Sequence, residues 1–294
     1  MKSAKKISVR KIQLGILFSI AFIAVFVWTI TLSSNRGHNL RVAFLDVGQG
    51  DSIFIEAPNG NRVLIDGGAS SGKLLSELGG VLPFYDKQIS VVVATHPDLD
   101  HIGGLPEIFE RYAVQALIEP DLYSGNGAYE AMEMIAEKNG AQKVIARAGE
   151  MIKLDKNITL QILYPDKKFP PAIEPNISSI VVKLTYGNKS FLFTGDLPSE
   201  QENYLAEKYG ALLDVDVLKF GHHGSKTSTS PEFLATVAPE YGVVSVGADN
   251  KYGHPNKETL DLAAKDNVKV LRTDEVGRVV FSTDGVNLSY IVEK

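Results

Sequence analysis

The chain contains no cysteine. That excludes a disulfide framework, a thiolate zinc site and a lipid-modified cysteine. Any metal must be held by nitrogen and oxygen. The absence does not fix the compartment, because many extracytoplasmic bacterial proteins also lack cysteine. Acid is missing from the first 36 residues, which carry six Lys and Arg. The remainder holds 24 basic and 35 acidic residues, a net charge of −11. That argues against a broad surface for polyanions and leaves local basic patches and bound cations. Low-complexity tracts and exact repeats are also lacking. What remains is ordinary for a globular chain: 294 residues, 44% hydrophobic and 22% charged. The length suits one large α/β domain with a short appendage, or two small domains.

The N-terminus carries Lys2, Lys5, Lys6, Arg10 and Lys11. Leu14 to Leu32 then runs without a charge. At 1.5 Å per residue it reaches about 28 Å, close to a bilayer core of about 30 Å. The expectation is a cytoplasmic basic segment (1–11), a transmembrane anchor (12–33), a linker (34–39) and a domain at 40–294. The basic flank stays inside, so the domain lies outside the cytoplasmic membrane on a single-pass anchor. A cleaved leader is the rival reading, against which stand the length of the run and the lack of an Ala-x-Ala site in SSNRGHN. His38, in the linker, has no assigned role.

Beyond the linker, strand and helix patterns alternate. LRVAFLDV, DSIFIEA and NRVLIDGG read as strands, and QISVVVATH as a buried strand feeding a loop. Gly104–Tyr112 and Gly127–Asn139 read as helices. ITLQILYP, SSIVVKLTYG and KSFLFTGD read as strands, the last two a hairpin across Gly187 and Asn188. Ser199–Tyr209 is helical, DVDVLKFGHHG is a strand entering a loop, and PEFLATV and KETLDLAAKD are helices. Strands close the chain near 268–272, 278–283 and 286–292. The order predicts helices packed outside two central sheets.

The strongest chemical signal is THPDLDHIGG at 95–104. His96, Asp98, Asp100 and His101 place four potential ligands within six residues, behind the apolar run VVVA. A loop at a strand end lets such side chains converge, whereas a strand sends alternate ones to opposite faces. Imidazole with carboxylate suits zinc, manganese or iron. GQGD at 48–51 is followed by no helix, so it is neither a dinucleotide loop nor a phosphate loop; its glycines make a turn that brings Asp51 or Gln49 to the cleft.

His-x-Asp-x-Asp-His resembles the His-x-His-x-Asp-His motif of the metallo-β-lactamase superfamily. The chain is most similar to the extracytoplasmic hydrolase domain of ComEC-type competence proteins and their stand-alone relatives. FLDVGQGDSIFIE, LIDGG, THPDLDHIGG, NISSIVVKLTYG, FLFTGD, LKFGHHGSKTSTS and NKYGHP carry the resemblance, in order, from residue 44 to 255. It implies a four-layer αββα metallo-β-lactamase sandwich, here preceded by one transmembrane helix. It implies His96 and Asp98 as ligands of a first metal, Asp100 and His101 of a second, and Asp196 as the carboxylate between them. Asp196 can also be read as a helix cap. His222 is the first choice for the last histidine ligand, with His223 as the alternative ligand or substrate contact. Asp66 resembles the carboxylate that orients a ligating histidine, and it also suits a turn before Gly67. The family's separate histidine before SSIVV is absent, and Asn176 stands near its place. That poorer nitrogen set admits a harder ion at the first site. His254 suits a phosphate contact or a proton donor, or a purely structural role. Ser225 and Lys226 suit an anionic group, or a plain polar loop.

The implied cofactor is two divalent ions, zinc or manganese. The implied reaction is attack of a metal-bound hydroxide on a phosphodiester, with Asp100, Asp196 and His254 catalytic. The leading expectation is an extracytoplasmic nuclease acting on single-stranded DNA. The alternatives are a phosphodiesterase of the cell envelope (teichoic acid or phosphocholine type) and a degenerate metal-binding sensor. No protein partner can be inferred.

Overall fold

The computed structural model describes residues 9–34, 39–122, 124–170 and 173–294. It divides into two units, Met1–His38 and Asn39–Lys294. The first holds helix α1 (Val9–Ser34). Among the described residues no helix is long and apolar enough to cross a membrane. The expected anchor at 12–33 is therefore not supported. Residues 1–8 of the basic segment and 35–38 of the linker, His38 included, lie outside the described residues.

The second unit begins with six strands: β1 (Leu40–Phe44), β2 (Ile53–Glu56), β3 (Arg62–Ile65), β4 (Gln88–Val93), β5 (Ala113–Glu119) and β6 (Gln142–Ile145). Seven more follow: β7 (Met151–Asp155), β8 (Ile158–Tyr164), β9 (Val181–Tyr186), β10 (Lys189–Phe193), β11 (Val217–Lys219), β12 (Tyr241–Val244) and β13 (Lys269–Arg272). β14 (Arg278–Thr283) and β15 (Leu288–Glu293) close the chain. One sheet has the order β15-β14-β1-β2-β3-β4-β5-β6, the other β13-β12-β11-β10-β9-β8-β7. The last two strands thus return to the first sheet, β14 pairing with β1 and β15 with β14.

Strand alternation sorts the core into layers. Val42, Phe44, Phe191, Phe193 and Phe281 point between the sheets, and the Phe44 and Phe193 rings meet at 6.1 Å. On the outer face of the first sheet, Ala43, Leu64 and Val92 pack against α2 (Ser71–Val81), α4 (Leu105–Arg111) and α5 (Gly127–Lys138), beyond the single turn α3 (Leu99–Ile102). On the outer face of the second, Leu192, Leu218 and Val244 pack against α6 (Ser199–Tyr209), α7 (Pro231–Val237) and α8 (Lys257–Lys265). The result is the expected αββα sandwich. Both faces of each sheet are covered, so central strands read as near-continuous apolar runs. Truncating one of these core phenylalanines to alanine costs about 3–5 kcal/mol.

Two local devices shape the functional end. Ser230 caps α7 by accepting from Phe233 N at 3.1 Å, which starts that helix at the end of the loop that follows GHHG. Gly50 has φ +121, and a Cβ there would lie 2.0 Å from the Asp100 carbonyl oxygen. Only glycine lets the GQGD turn lie against the 98–101 loop. The neighbouring Asp51 N donates to that same carbonyl at 3.2 Å.

Candidate metal centre

The candidate residues leave the sandwich at one end, where parallel strands of both sheets finish. Asp66 follows β3, His96 follows β4, Asp196 follows β10, and Lys219 and the two histidines end or follow β11. β3 and β4 run parallel, as do β10, β11 and β12. Ligand sites form at such carboxyl ends because the loops that leave them converge.

Three histidines are aimed by hydrogen bonds on their far nitrogens. Thr95 Oγ1 donates to Asp66 Oδ2 at 2.7 Å, so its lone pair accepts from His96 Nδ1 at 3.0 Å. His101 Nδ1 donates to Asp66 Oδ2 at 2.8 Å. His223 Nδ1 donates to the Ser245 carbonyl, which can only accept, at 2.9 Å. In a neutral ring each bond leaves Nε2 with a lone pair facing the cluster. All three Nε2 atoms are buried and have no hydrogen-bond partner. Buried polar atoms are rarely left so.

Carboxylates face them. Asp196 Oδ1 lies 3.3 Å from His101 Nε2, and Asp196 Oδ2 lies 3.5 Å from His223 Nε2. Asp100 Oδ2 lies 3.3 Å from His223 Nε2, and Asp98 Oδ2 lies 3.7 Å from His96 Nε2. Ligand atoms of His96, His101 and Asp196 lie within 4.8 Å of one another, as do those of Asp100, His101 and His223. Such a set can hold a metal ion.

Electrostatics follow from burial and these neighbours. Burial, then the nearby His101, pushes the His96 imidazole down to about 3, which keeps it a neutral donor. Burial opposes ionisation of Asp196, but His223 and His101 outweigh it and hold Asp196 well below the usual carboxylate range. The nearby His223 and His101 likewise outweigh burial at Asp100 and lower it. Burial raises Asp66 despite His101.

The backbone makes room for this geometry at some cost. Asp66, His222 and His223 all have positive φ, at 59°, 49° and 55°. Non-glycine residues visit that region infrequently, and clustered strain of this kind marks functional sites.

The order of the two adjacent histidines differs from the expected one. His223 is buried among the carboxylates. His222 is 29% exposed and reaches only Asp196 Oδ2, at 3.7 Å. The left-handed turn points the two side chains apart, so His222 lies at the margin of the cluster, its Nδ1 3.2 Å from Thr227 Oγ1. Asp66 orients His101 and holds the Thr95 amide at 2.8 Å. Asn176 lies in the short turn Pro175–Ser178 with its Oδ1 buried and unpartnered, and Ser179, three residues on, lies 3.4 Å from His96 Nδ1. Ser225 hydrogen-bonds Thr227 rather than an open position, and Lys226 is exposed at the rim. His254 also stands at the rim, its ring 5.5 Å from that of His222 and its Nδ1 buried without a partner.

Sequence reasoning missed Lys219. Its side chain is fully buried, pairs with Asp51, lies 3.7 Å from Asp196 Oδ1 and donates to the Gly195 carbonyl at 3.1 Å. A lone lysine in the apolar strand before GHHG was the available signal. Asp51, named only as reaching the cleft, lies 3.4 Å from His223 Nδ1.

The chain belongs to the metallo-β-lactamase superfamily, whose sequence pattern matches residues 45–248. Within it the chain resembles proteins of bacterial competence. It is 32% identical over 256 residues to ComE operon protein 3 of Bacillus subtilis, covering 82% of this chain and 32% of that one. It is 31% identical over 245 residues to Competence protein ComA of Neisseria gonorrhoeae, again covering 82% and 32%. Ribonuclease J of Methanocaldococcus jannaschii is 26% identical over 164 residues, 53% of this chain and 35% of that one. The chain spans about a third of the length of these curated relatives.

Proposed function

We propose that this chain is a metal-dependent phosphodiesterase that cleaves single-stranded DNA. The observation that carries the proposal is the convergence of three buried, unpartnered imidazole Nε2 atoms on Asp196. A charge balance supports two divalent ions. Asp51, Asp66, Asp98, Asp100 and Asp196 stand against one ammonium, Lys219. With the imidazoles neutral, as metal ligands are, that leaves a deficit of four positive charges; without metal, His101 and His223 are raised and take up part of it as protons.

His96, Asp98 and Asp196 would hold one cation, with His222 at its edge. Asp100, His101, His223 and Asp196 would hold the other. When bound, such a pair supplies Lewis acidity and an oxygen nucleophile at neutral pH. The chain's own residues do the rest. Asp196 spans both positions, and Asp66 fixes the tautomer of His101. His254, with a free Nδ1 at the rim, hydrogen-bonds a substrate oxygen or protonates the leaving one. Lys226 meets the phosphate backbone. The superfamily is one of metal-dependent hydrolases in general, and a relative named a ribonuclease supports a nucleic-acid substrate.

One observation favours a second reading. The net charge of −11 beyond residue 36 repels a long polyanion and suits a small phosphodiester of the cell envelope. The purified chain, supplied with manganese or zinc, separates the two. Cleavage of a single-stranded oligonucleotide supports the nuclease. Cleavage of a small phosphodiester alone supports the envelope enzyme, and cleavage of neither contradicts both.

A further inference from the structure

Tyr252 is 69% exposed on the rim of the site. Its ring lies 24° from parallel to that of His254, with centroids 5.8 Å apart. His254 meets His222 at 5.5 Å, and His222 meets His223 at 6.1 Å. A ladder of rings therefore leads from solvent to the buried cluster, and its outermost rung has an open face.

The loop bearing Tyr252 is held in place. Asn250 Nδ2 donates to the carbonyls of Gly247 and His254, at 2.9 and 2.8 Å. His254 N donates back to Asn250 Oδ1 at 3.0 Å. Asn256 ties this loop to the GHHG loop, through its own N to the Gly224 carbonyl (2.9 Å) and from Lys226 N to its Oδ1 (2.8 Å). Gly253 has φ +72, yet a Cβ there would meet nothing within 4 Å. The backbone conformation, not space, calls for glycine there, and that conformation lets residues two apart lay one ring on the other. Lys251, next to Tyr252 in the chain, and Lys226, whose backbone N donates to Asn256, are both exposed.

We infer that Tyr252 is a stacking platform for the base next to the scissile phosphate, which makes unpaired nucleic acid the substrate class of this site. The inference rests on the phosphodiesterase reading and deepens it. A flat, pre-positioned ring with one free face binds any base by its π surface. The two lysines take the adjoining phosphates. A duplex would not offer an unstacked base, so the platform selects single strands. Recognition by stacking is tolerant of sequence, because every base has a π face.

The test uses the full chain and needs no turnover. Binding of a fluorescent single-stranded oligodeoxynucleotide is followed by anisotropy over a range of salt, with calcium in place of the catalytic ions so that the carboxylate cluster stays neutralised. The same strand made of abasic units is the comparison. Tyr252→Ala is expected to weaken binding of the normal strand by roughly 5- to 150-fold. The dependence of affinity on salt should stay unchanged, because stacking displaces no counterions. Tyr252→Phe should bind as the wild type does. The abasic strand should bind alike to wild type and Tyr252→Ala. Equal binding of the normal strand by wild type and Tyr252→Ala overturns the platform while leaving the phosphodiesterase in place. An equal loss on the abasic strand also overturns it, since the residue would then act only through loop packing. A wild type that binds neither strand yet hydrolyses a small phosphodiester removes the nucleic-acid reading itself.

Discussion

Lys219 Nζ and Asp196 Oδ1 lie 3.7 Å apart in a place where neither side chain is more than 4% exposed. The lysine also pairs with Asp51. A buried ammonium next to a carboxylate that faces three imidazoles is not a surface accident. Burial opposes its charge, but Asp51 and Asp196 outweigh that and raise Lys219 above the usual lysine value. It acts as a fixed internal cation that keeps two carboxylates ionised.

Removing it should therefore be costly, and the cost should depend on metal. Lys219→Met leaves buried Asp51 and Asp196 without their ammonium, a change worth about 3–5 kcal/mol. Urea unfolding in EDTA should show that loss. Added manganese should narrow it, because divalent cations neutralise the same carboxylates. A loss of equal size with and without metal would mean that Lys219 serves the fold alone.

Asp66 accepts from the Thr95 amide and hydroxyl and from His101 Nδ1. Asp66→Asn exchanges one acceptor oxygen for a donor and so loosens the tautomer and angle of His101. Metal affinity should fall by about 10- to 100-fold, read by competition with a chelator. Unchanged affinity would place the orientation of His101 elsewhere.

The two adjacent histidines make a matched comparison. His223→Ala removes a buried Nε2 that faces Asp100 and Asp196, whereas His222→Ala removes a partly exposed ring at the margin. The first should lose at least one bound ion per chain by elemental analysis. The second should retain more metal. The reverse ranking would exchange their roles.

Glu202 gives a prediction about pH. It is buried under the GHHG loop, accepts from Ser230 N at 3.2 Å, and burial pushes it up to about 8. The folded state thus binds a proton that the unfolded chain, with an ordinary glutamate, releases above about 4.5. The stabilisation is complete below that value and is lost as pH rises through about 8. Glu202→Gln should flatten the fall in stability between pH 5 and 8, followed by thermal unfolding in EDTA; an unchanged slope would assign the dependence to other groups.

Much of the site was legible because its chemistry is compressed. His96, Asp98, Asp100 and His101 fall within six residues after an apolar strand, and no packing role explains that spacing. Asp196 and the histidine pair were legible only through resemblance, since a lone Asp after a strand can also be read as a helix cap. The ranking of His222 against His223 was not legible, because two consecutive left-handed residues decide it. Lys219 and Ser179 were hidden by distance along the chain, which the sandwich folds away. Among the elements, the pattern gave no helix at Ser71–Val81, where Gly79 and Gly80 lower helix propensity although Leu74, Leu78 and Val81 bury one face. β12 was missed because four residues are too few to display a period.

The central claim is that this cluster holds divalent cations for phosphodiester hydrolysis. It is tested most directly by elemental analysis of the purified full chain beside Asp196→Ala, with hydrolysis of a single-stranded oligonucleotide measured on the same samples. The account predicts two divalent ions per wild-type chain, fewer in Asp196→Ala, and loss of cleavage with them. A wild type that binds no metal, or an Asp196→Ala protein that cleaves as fast as the wild type, would contradict it.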